Sequence, residues 1–383
     1  MTCKYRLRPT RKQAQLLNKM LETCRSVYNS TLAIRKNVYE REAKSLSRYQ
    51  TQQLLPHWKA LATDLSEVHS QVLQNVQVRV DLAFQAFFRR VKAAGETKFR
   101  TEPGYPRFKG KGQYKSLTYP QYGNGVKLVG DRLTVSKIGI VQIKLHRPIE
   151  GEIKTVTIQR DSTGQWYVCF SCEVEAQPLE PTPYAVGVDL GLKTFAYLSD
   201  GSKIERQRWM KRDAADIARL QRKKEHFEQG SPERHKVLHA LNHAYQRVTN
   251  RRTNFAHQES RKLVNIDQFM VFEKLDIQDM QGLGNHTINR SIADVAWGQF
   301  TQYTLYKAEK AGRTVVLVNP RGTTQECSSC GEVVPKDLSV RVHDCPHCGL
   351  KIDRDLNASL NILARGLASV GGDSSLSRRS PRL

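Results

Sequence analysis

Long apolar runs are absent from this sequence. No stretch approaches the roughly 18 apolar residues that a membrane span requires, so no membrane-spanning helix is expected. The opening residues, MTCKYRLRPTRKQ, hold no apolar core, so no secretory signal is expected either. Acid is scarce: Asp and Glu number 37 against 61 Lys and Arg, and the formal net charge is +24. That shortage excludes an acidic, solvating chain and favours a polyanionic partner. Isolated cysteines are scarce too. Six of the eight fall in close pairs, which suits a reducing compartment and metal binding better than a disulfide framework. No internal repeat is present. What remains is a globular composition, 39% hydrophobic over 383 residues, enough for two or three domains with real cores.

The chain changes character at several points. A short basic strand, Tyr5 to Arg8, is stopped by Pro9. Leu16, Leu17, Met20, Leu21, Cys24, Val27, Tyr28 and Leu32 then recur at helical spacing and predict a helix to about residue 45. A second helical region is expected over 50–94, broken at Pro56, with Leu73, Val76, Val80, Ala83, Phe84 and Phe87 on its buried face. From Gly95 the sequence turns Gly-, Pro-, Lys- and aromatic-rich, and alternating segments follow: LTVSKIGIVQIKLH, EIKTVTIQR and WYVCFSCEVE. This predicts a β-domain with a helical domain inserted after its first strand. The proline-rich AQPLEPTP marks a boundary. Beyond it, YAVGVDLGLKTFAYLSDG reads as a hairpin, and a basic helical stretch runs from Trp209 to Val264, where Ser231 is a candidate N-cap and Pro232 a first helical residue. FMVFEKL reads as a buried strand, followed by a loop to about Ser291, a helix over 292–311 and a strand over 313–319. A last helix is expected to begin near Asp355. The tail from Gly366 is expected to be disordered.

Cys327-x2-Cys330 and Cys345-x2-Cys348 carry the strongest local signal. Each pair can form a knuckle that turns two thiolates toward one ion, and Gly331 and Gly349 stand where a knuckle needs an unusual backbone angle. Four thiolates close a tetrahedral site, so the expected occupant is structural Zn²⁺, with His343 and His347 as weaker substitutes. Cys169 and Cys172 have the same spacing inside a strand pattern, where positions i and i+3 face opposite ways, so they predict core packing.

Three acids adjoin apolar runs. Asp189 ends YAVGV, Glu273 ends FMVF, and Asp355 opens DRDLNASLNIL. Taken singly, each could be a helix cap or a surface residue. Together they are what a divalent-metal nuclease needs, because Mg²⁺ or Mn²⁺ prefers oxygen ligands and two ions can clamp a phosphodiester. Asp353 and Asp355 compete for the third place, and Asn357 is a candidate to position one of them.

These landmarks occur in a specific order: YRLRPTRKQ, SQVLQNV with AFQAFFRR, YPRFKGKG, GVDLGLKTFAYLSDG, VFEKLDI, and CSSCG…CPHCGLKIDRDLNASLNIL. In that order, over nearly all of residues 1–365, the chain resembles the TnpB proteins of insertion sequences, relatives of small type V CRISPR effectors. The resemblance implies a multidomain α+β and α/β protein. It implies a wedge β-barrel (1–9 and 95–178) with an inserted helical recognition domain (10–94). It implies a RuvC-type, RNase H-like nuclease domain (184–319 and 350–365) with an inserted zinc ribbon (320–349), and leaves 366–383 as a tail. It further implies an RNA-guided DNA endonuclease with Asp189, Glu273 and Asp355 as catalytic and Mg²⁺-binding residues. A guide RNA and double-stranded DNA would be the partners, in the cytoplasm and nucleoid of a prokaryotic-type cell.

Basic residues mark candidate nucleic-acid surfaces. Between Arg89 and Lys115 there are nine Lys or Arg and two acids, interleaved with Phe88, Phe99, Tyr105, Phe108 and Tyr114. Cations neutralise phosphates and aromatics stack bases, so Arg107, Lys109 and Lys111 are contact candidates. Arg222, Lys223 and Arg251 stand in the basic stretch 206–262, and Gln71 and Gln74 could pair with base edges. His235, His239 and His243 share a helix face but lack companion ligands. Two other functions fit the acids less well: a silent RNA-guided DNA-binding protein, and a strand-joining transposase, of whose helix-turn-helix the sequence gives no sign.

Overall fold

The computed structural model describes residues 1–96, 103–276, 286–337, 339–371 and 376–378. They form two compact units, Met1–Val174 and Glu175–Leu383.

In the first unit seven antiparallel strands build one sheet: β1 (Thr2–Arg8), β2 (Ser116–Tyr119), β3 (Val126–Val129), β4 (Arg132–Val135), β5 (Gly139–Lys144), β6 (Glu152–Arg160) and β7 (Trp166–Glu173). Their order is β2-β6-β7-β1-β5-β4-β3, so the two edge strands are consecutive in sequence. A flat sheet of that width would hold its edges about 29 Å apart. The link from Tyr119 to Val126 reaches at most about 25 Å. The sheet must therefore curl, and it forms a nearly closed barrel. Strand alternation does the rest: Cys3, Tyr5 and Leu7 are buried while Lys4 and Arg8 face out.

Two long helices extend from this barrel. Helix α1 (Arg11–Glu42) starts with a capping box, in which the Thr10 side chain accepts from the Gln13 amide and the Gln13 side chain accepts from the Thr10 amide. It ends at Ala43, in the left-handed region at φ 53°. Pro56 marks a break in the helical region expected over 50–94, as the sequence suggests. It stands in the first turn of α3 (Leu55–Leu61), where its missing N–H costs nothing, after the short α2 (Arg48–Gln52). Helix α4 (Ser70–Glu96) completes the segment. Leu17, Leu32, Leu73, Val76 and Val80 of the helices join Leu7, Val141, Val168 and Phe170 of the barrel in one continuous core. The inserted helices and the barrel thus share their interior.

The second unit is built on a mixed sheet of order β10-β9-β8-β11-β12, comprising β8 (Tyr184–Leu190), β9 (Ala196–Leu198), β10 (Lys203–Ile204), β11 (Phe269–Glu273) and β12 (Thr314–Val318). Strands β8, β11 and β12 run parallel, and β9 turns back antiparallel on β8 as the hairpin pattern predicts. The apolar runs of β8 and β11 have no polar alternation because both faces are covered. On one face lie α7 (Pro232–Ile266) and α9 (Trp297–Lys310), which enclose Phe195, Phe272 and Phe300 in edge-to-face contacts. Ser231 caps α7 and Pro232 follows, as read from the sequence. On the other face lies α10 (Arg354–Ser369), packed through Ile362 and Leu363 onto Ala185, Phe269 and Val271.

Several boundaries differ from the sequence reading. The helix expected over 292–311 is two, α8 (His286–Val295) and α9, separated by Ala296 in the left-handed region at φ 58°. Helix α10 continues past Gly366 to Ser369, and Ser377–Arg378 pair with β8 at Tyr184 and Ala185, which β9 leaves uncovered. The start of the expected tail is therefore ordered. Its residues 372–375 and 379–383 lie outside the described residues, as do Phe99 and most of the loop expected before Ser291.

Candidate functional site

The parallel register of β8 and β11 brings two of the three acids together. Phe272 pairs with Val188, so the next register position sets Glu273 beside Asp189. Equal parity sends both side chains to one face, the face shared by Gly187 and Val271. Helix α10 lies on that same face at very short range. A Cβ on Gly187 would stand 2.1 Å from the Ser359 carbonyl oxygen, and one on Gly366 would stand 2.3 Å from a Val271 methyl. The helix begins at the end of the sheet where Asp189 and Glu273 sit, which delivers Asp355.

Electrostatics confirm the convergence. Burial drives the Asp189 carboxyl well above the usual carboxylate range, and the charges of Glu273 and Asp355 push it further. Burial also raises Glu273, opposed by a hydrogen bond of 2.6 Å that the Thr323 hydroxyl donates to its Oε1 and by the charge of Arg365. Asp189 is 8% exposed and Glu273 9%, so neither can shed its charge into solvent. Such a cluster of acids is unfavourable alone and is relieved by a cation. Asp355 already borrows one: Arg354 donates to its Oδ1 from Nε at 3.1 Å and from Nη2 at 2.9 Å.

The structure separates the competing acids of the DRD run. Asp353 is the helix N-cap and accepts from the Asp355 amide at 2.8 Å. Both acids raise Asp189 by their charge, Asp355 more than Asp353. Asn357 positions neither acid. Its Nδ2 donates to the Glu326 carbonyl at 2.7 Å and its Oδ1 accepts from the Ser328 amide at 2.9 Å, both beside Cys327.

The four cysteines form a second cluster, with every sulfur within 4.8 Å of the others. Cys327 and Cys348 sulfurs are 3.6 Å apart, as are those of Cys330 and Cys345. A tetrahedron with metal–sulfur bonds of about 2.3 Å has edges of about 3.8 Å, so the donors fit one ion. The two knuckles repeat each other: the Cys327 and Cys345 amides donate to Glu332 and Leu350, and the Gly331 and Gly349 amides donate back to Cys327 and Cys345. Both glycines are left-handed, at φ 79° and 76°. Burial would raise the Cys327 thiol, but the amides of Cys330 and Ser329 outweigh it and bring it to about 7. The Glu332 backbone lowers Cys330, but burial and the three neighbouring sulfurs outweigh it and hold the thiol up at about 12. None of the eight cysteines is in a disulfide, and Cys169 and Cys172 take opposite sides of β7. His343 is buried against Lys336, and His347 is exposed.

Lys109 is held by its backbone to Asn29 of α1, with its ammonium 5.6 Å from the Tyr28 ring centre, while Arg107 and Lys111 are exposed. Gln74 is exposed, but Gln71 donates to Gln121 at 2.6 Å. Arg222 and Lys223 are exposed on α6 (Ala214–Glu225), whereas Arg251 pairs with Asp213 at 2.6 Å. The rings of His239 and His243 meet at 4.5 Å. Among the described residues, no helix is long and apolar enough to cross a membrane. Thr323, Arg354, Asn361 and Arg365 went unnoticed in the sequence. Only Asn361 had a visible signal, its spacing of four from Asn357 on the last helix.

Three family models match the chain: "Helix-turn-helix domain" over residues 1–44, "Probable transposase" over 168–283, and "Cas12f1-like, TNB domain" over 297–362. The first match covers one strand and one unbroken 32-residue helix, so no helix-turn-helix is formed there. A relative in Streptomyces pristinaespiralis, named an RNA-guided DNA endonuclease, is 34% identical over 379 residues, 97% of this chain and 90% of its own. The Escherichia coli protein InsQ, named likewise, is 29% identical and covers 95% of this chain and 92% of its own. The CRISPR-associated endodeoxyribonuclease Cas12f1 of Syntrophomonas palmitatica is 24% identical over 64% of this chain and 50% of its own. In fold, the chain is similar to Cas12f1 in a complex with sgRNA and target DNA, with TM-score 0.56 at 14% identity, over 92% of this chain and 83% of the other. The identity and coverage of these relatives, with the placement of the acids and cysteines, show that the chain belongs to the TnpB family of insertion-sequence proteins.

Proposed function

We propose that this protein is an RNA-guided DNA endonuclease whose second unit is a RuvC-type, RNase H-like nuclease. The observation that carries the reading is the register that sets Glu273 beside Asp189 at the end where α10 presents Asp355. Mg²⁺ or Mn²⁺ bound there would supply a Lewis acid and a water of lowered pKa. Asp189, Glu273 and Asp355 provide hard oxygen donors, which these cations prefer. Thr323 fixes one oxygen of Glu273, and Arg354 holds Asp355 in place until its charge is needed. The four-thiolate site is closed, so it suits structural Zn²⁺, and residues 320–349 act as a zinc ribbon between parts of the nuclease (184–319 and 350–365).

In this reading the barrel (1–9 and 95–178) and the helical segment (10–94) hold the guide RNA and recognise a short motif beside the DNA target. Base pairing then reads the sequence, a division of labour that suits a chain of net charge +24. The test is to sequence the RNA that co-purifies from the native locus and supply matching DNA. A single discrete RNA ending in a segment that matches flanking DNA, and cutting that EDTA stops, are expected. Random RNA fragments with no targeted cutting would reject the reading.

A further inference from the structure

Glu273 and the cysteine module are joined by a short chain of buried contacts. Thr323, 1% exposed, donates its hydroxyl to Glu273. The Thr323 carbonyl accepts from Asn361 Nδ2 at 2.8 Å, and the same Nδ2 donates to the Glu326 carbonyl at 2.7 Å. Glu326 precedes Cys327. One turn earlier on the same helix face, Asn357 grips the Glu326 carbonyl and the Ser328 amide, inside the first knuckle. Asn357 is fully buried and Asn361 8% exposed. Asparagine suits this place because one amide group can both donate and accept. The helix that carries Asp355 and the loop that orients Glu273 are therefore both fastened to the knuckle that begins at Cys327.

We infer that Asn361 and Thr323 are positioning residues that couple the cysteine module to the acid site. A filled thiolate site fixes the 322–328 loop, and that loop holds Glu273 in the orientation a divalent cation needs. The inference rests on reading Asp189, Glu273 and Asp355 as the cation's ligands. A hydroxyl that orients a metal-binding carboxylate has a known scale of effect, roughly 10- to 100-fold in metal affinity.

The experiment titrates Mn²⁺ into the full-length, zinc-loaded chain and follows water-proton relaxation, which reads cation binding without catalysis. Zinc content and thermal unfolding are recorded for each variant. Asp189→Asn is expected to abolish the tight Mn²⁺ site. Thr323→Val and Asn361→Ala should weaken it about 10- to 100-fold with zinc retained, and Thr323→Ser should bind like the parent. Removing zinc from the parent should weaken Mn²⁺ binding to a similar degree. If Asn361→Ala loses zinc or unfolds, Thr323→Val decides, because its hydroxyl touches Glu273 and the Pro320 carbonyl and no sulfur. Parent-like Mn²⁺ affinity in folded, zinc-loaded Thr323→Val overturns the inference while leaving the acid site in place. Unchanged Mn²⁺ binding in Asp189→Asn overturns the ligand reading itself, and the inference with it.

Discussion

The acid site and the cysteine site solve the same problem in opposite ways. Both gather ligands that repel one another when ionised. The cysteines come from one stretch, Cys327 to Cys348, and backbone amides of the knuckles lower two of the thiols before any ion arrives. The acids come from two strands and a helix, and burial raises Asp189 and Glu273 instead. A local site is prepared by its own loop, whereas a dispersed site depends on the packing of the whole unit. One is partly prepared for its ion, with Cys330 still raised, and the other is strained without it.

That contrast can be broken at four points. The largest effect belongs to the thiolates. Cys345→Ser, or stripping the metal, should remove apparent binding free energy on the order of 10 kcal/mol and unfold the 322–350 segment. Hydrogen exchange localised there would check it, and protection equal to the parent would refute a structural metal. Next is the helix seat. Gly187→Val drives side-chain atoms into the Ser359 carbonyl and should cost about 3–5 kcal/mol, read by denaturant unfolding.

A smaller effect has the opposite sign. In metal-free protein, Asp189→Asn removes a buried like charge and should raise Tm by about 2–4 °C, worth about 1 kcal/mol, while cutting is lost. The pH dependence follows from the raised folded value of Asp189. The folded state holds more protons than the unfolded state between the ordinary carboxylate value and the raised one. Metal-free stability should therefore rise as pH falls through that window, and Mn²⁺ affinity should fall. A Tm that drops steadily over the same window would contradict the burial of Asp189. The smallest effect lies at the surface, where Arg251→Ala breaks the pair with Asp213 and should cost about 0.5–1 kcal/mol. Loss of guide binding well beyond that cost would restore Arg251 as a nucleic-acid contact.

The same contrast explains what could be read in advance. The knuckles were legible because spacing and glycines alone define them. Strands such as FMVF and the hairpin after Tyr184 were legible because apolar runs and turns are local. Asp189, Glu273 and Asp355 could be picked out only through the order of landmarks, because the register that unites them spans 84 residues between Val188 and Phe272. Thr323 and Arg365 had no local pattern, since their partners are set by tertiary packing. The break at Pro56 was legible because a proline lacks the N–H that a continuous helix needs.

The most direct measurement compares the parent and Asp189→Ala, each loaded with the co-purified guide RNA, on matched DNA with Mg²⁺. The account predicts that both bind the RNA and the target, and that only the parent cuts. Full cutting by Asp189→Ala would contradict the assignment of these three acids as the catalytic site.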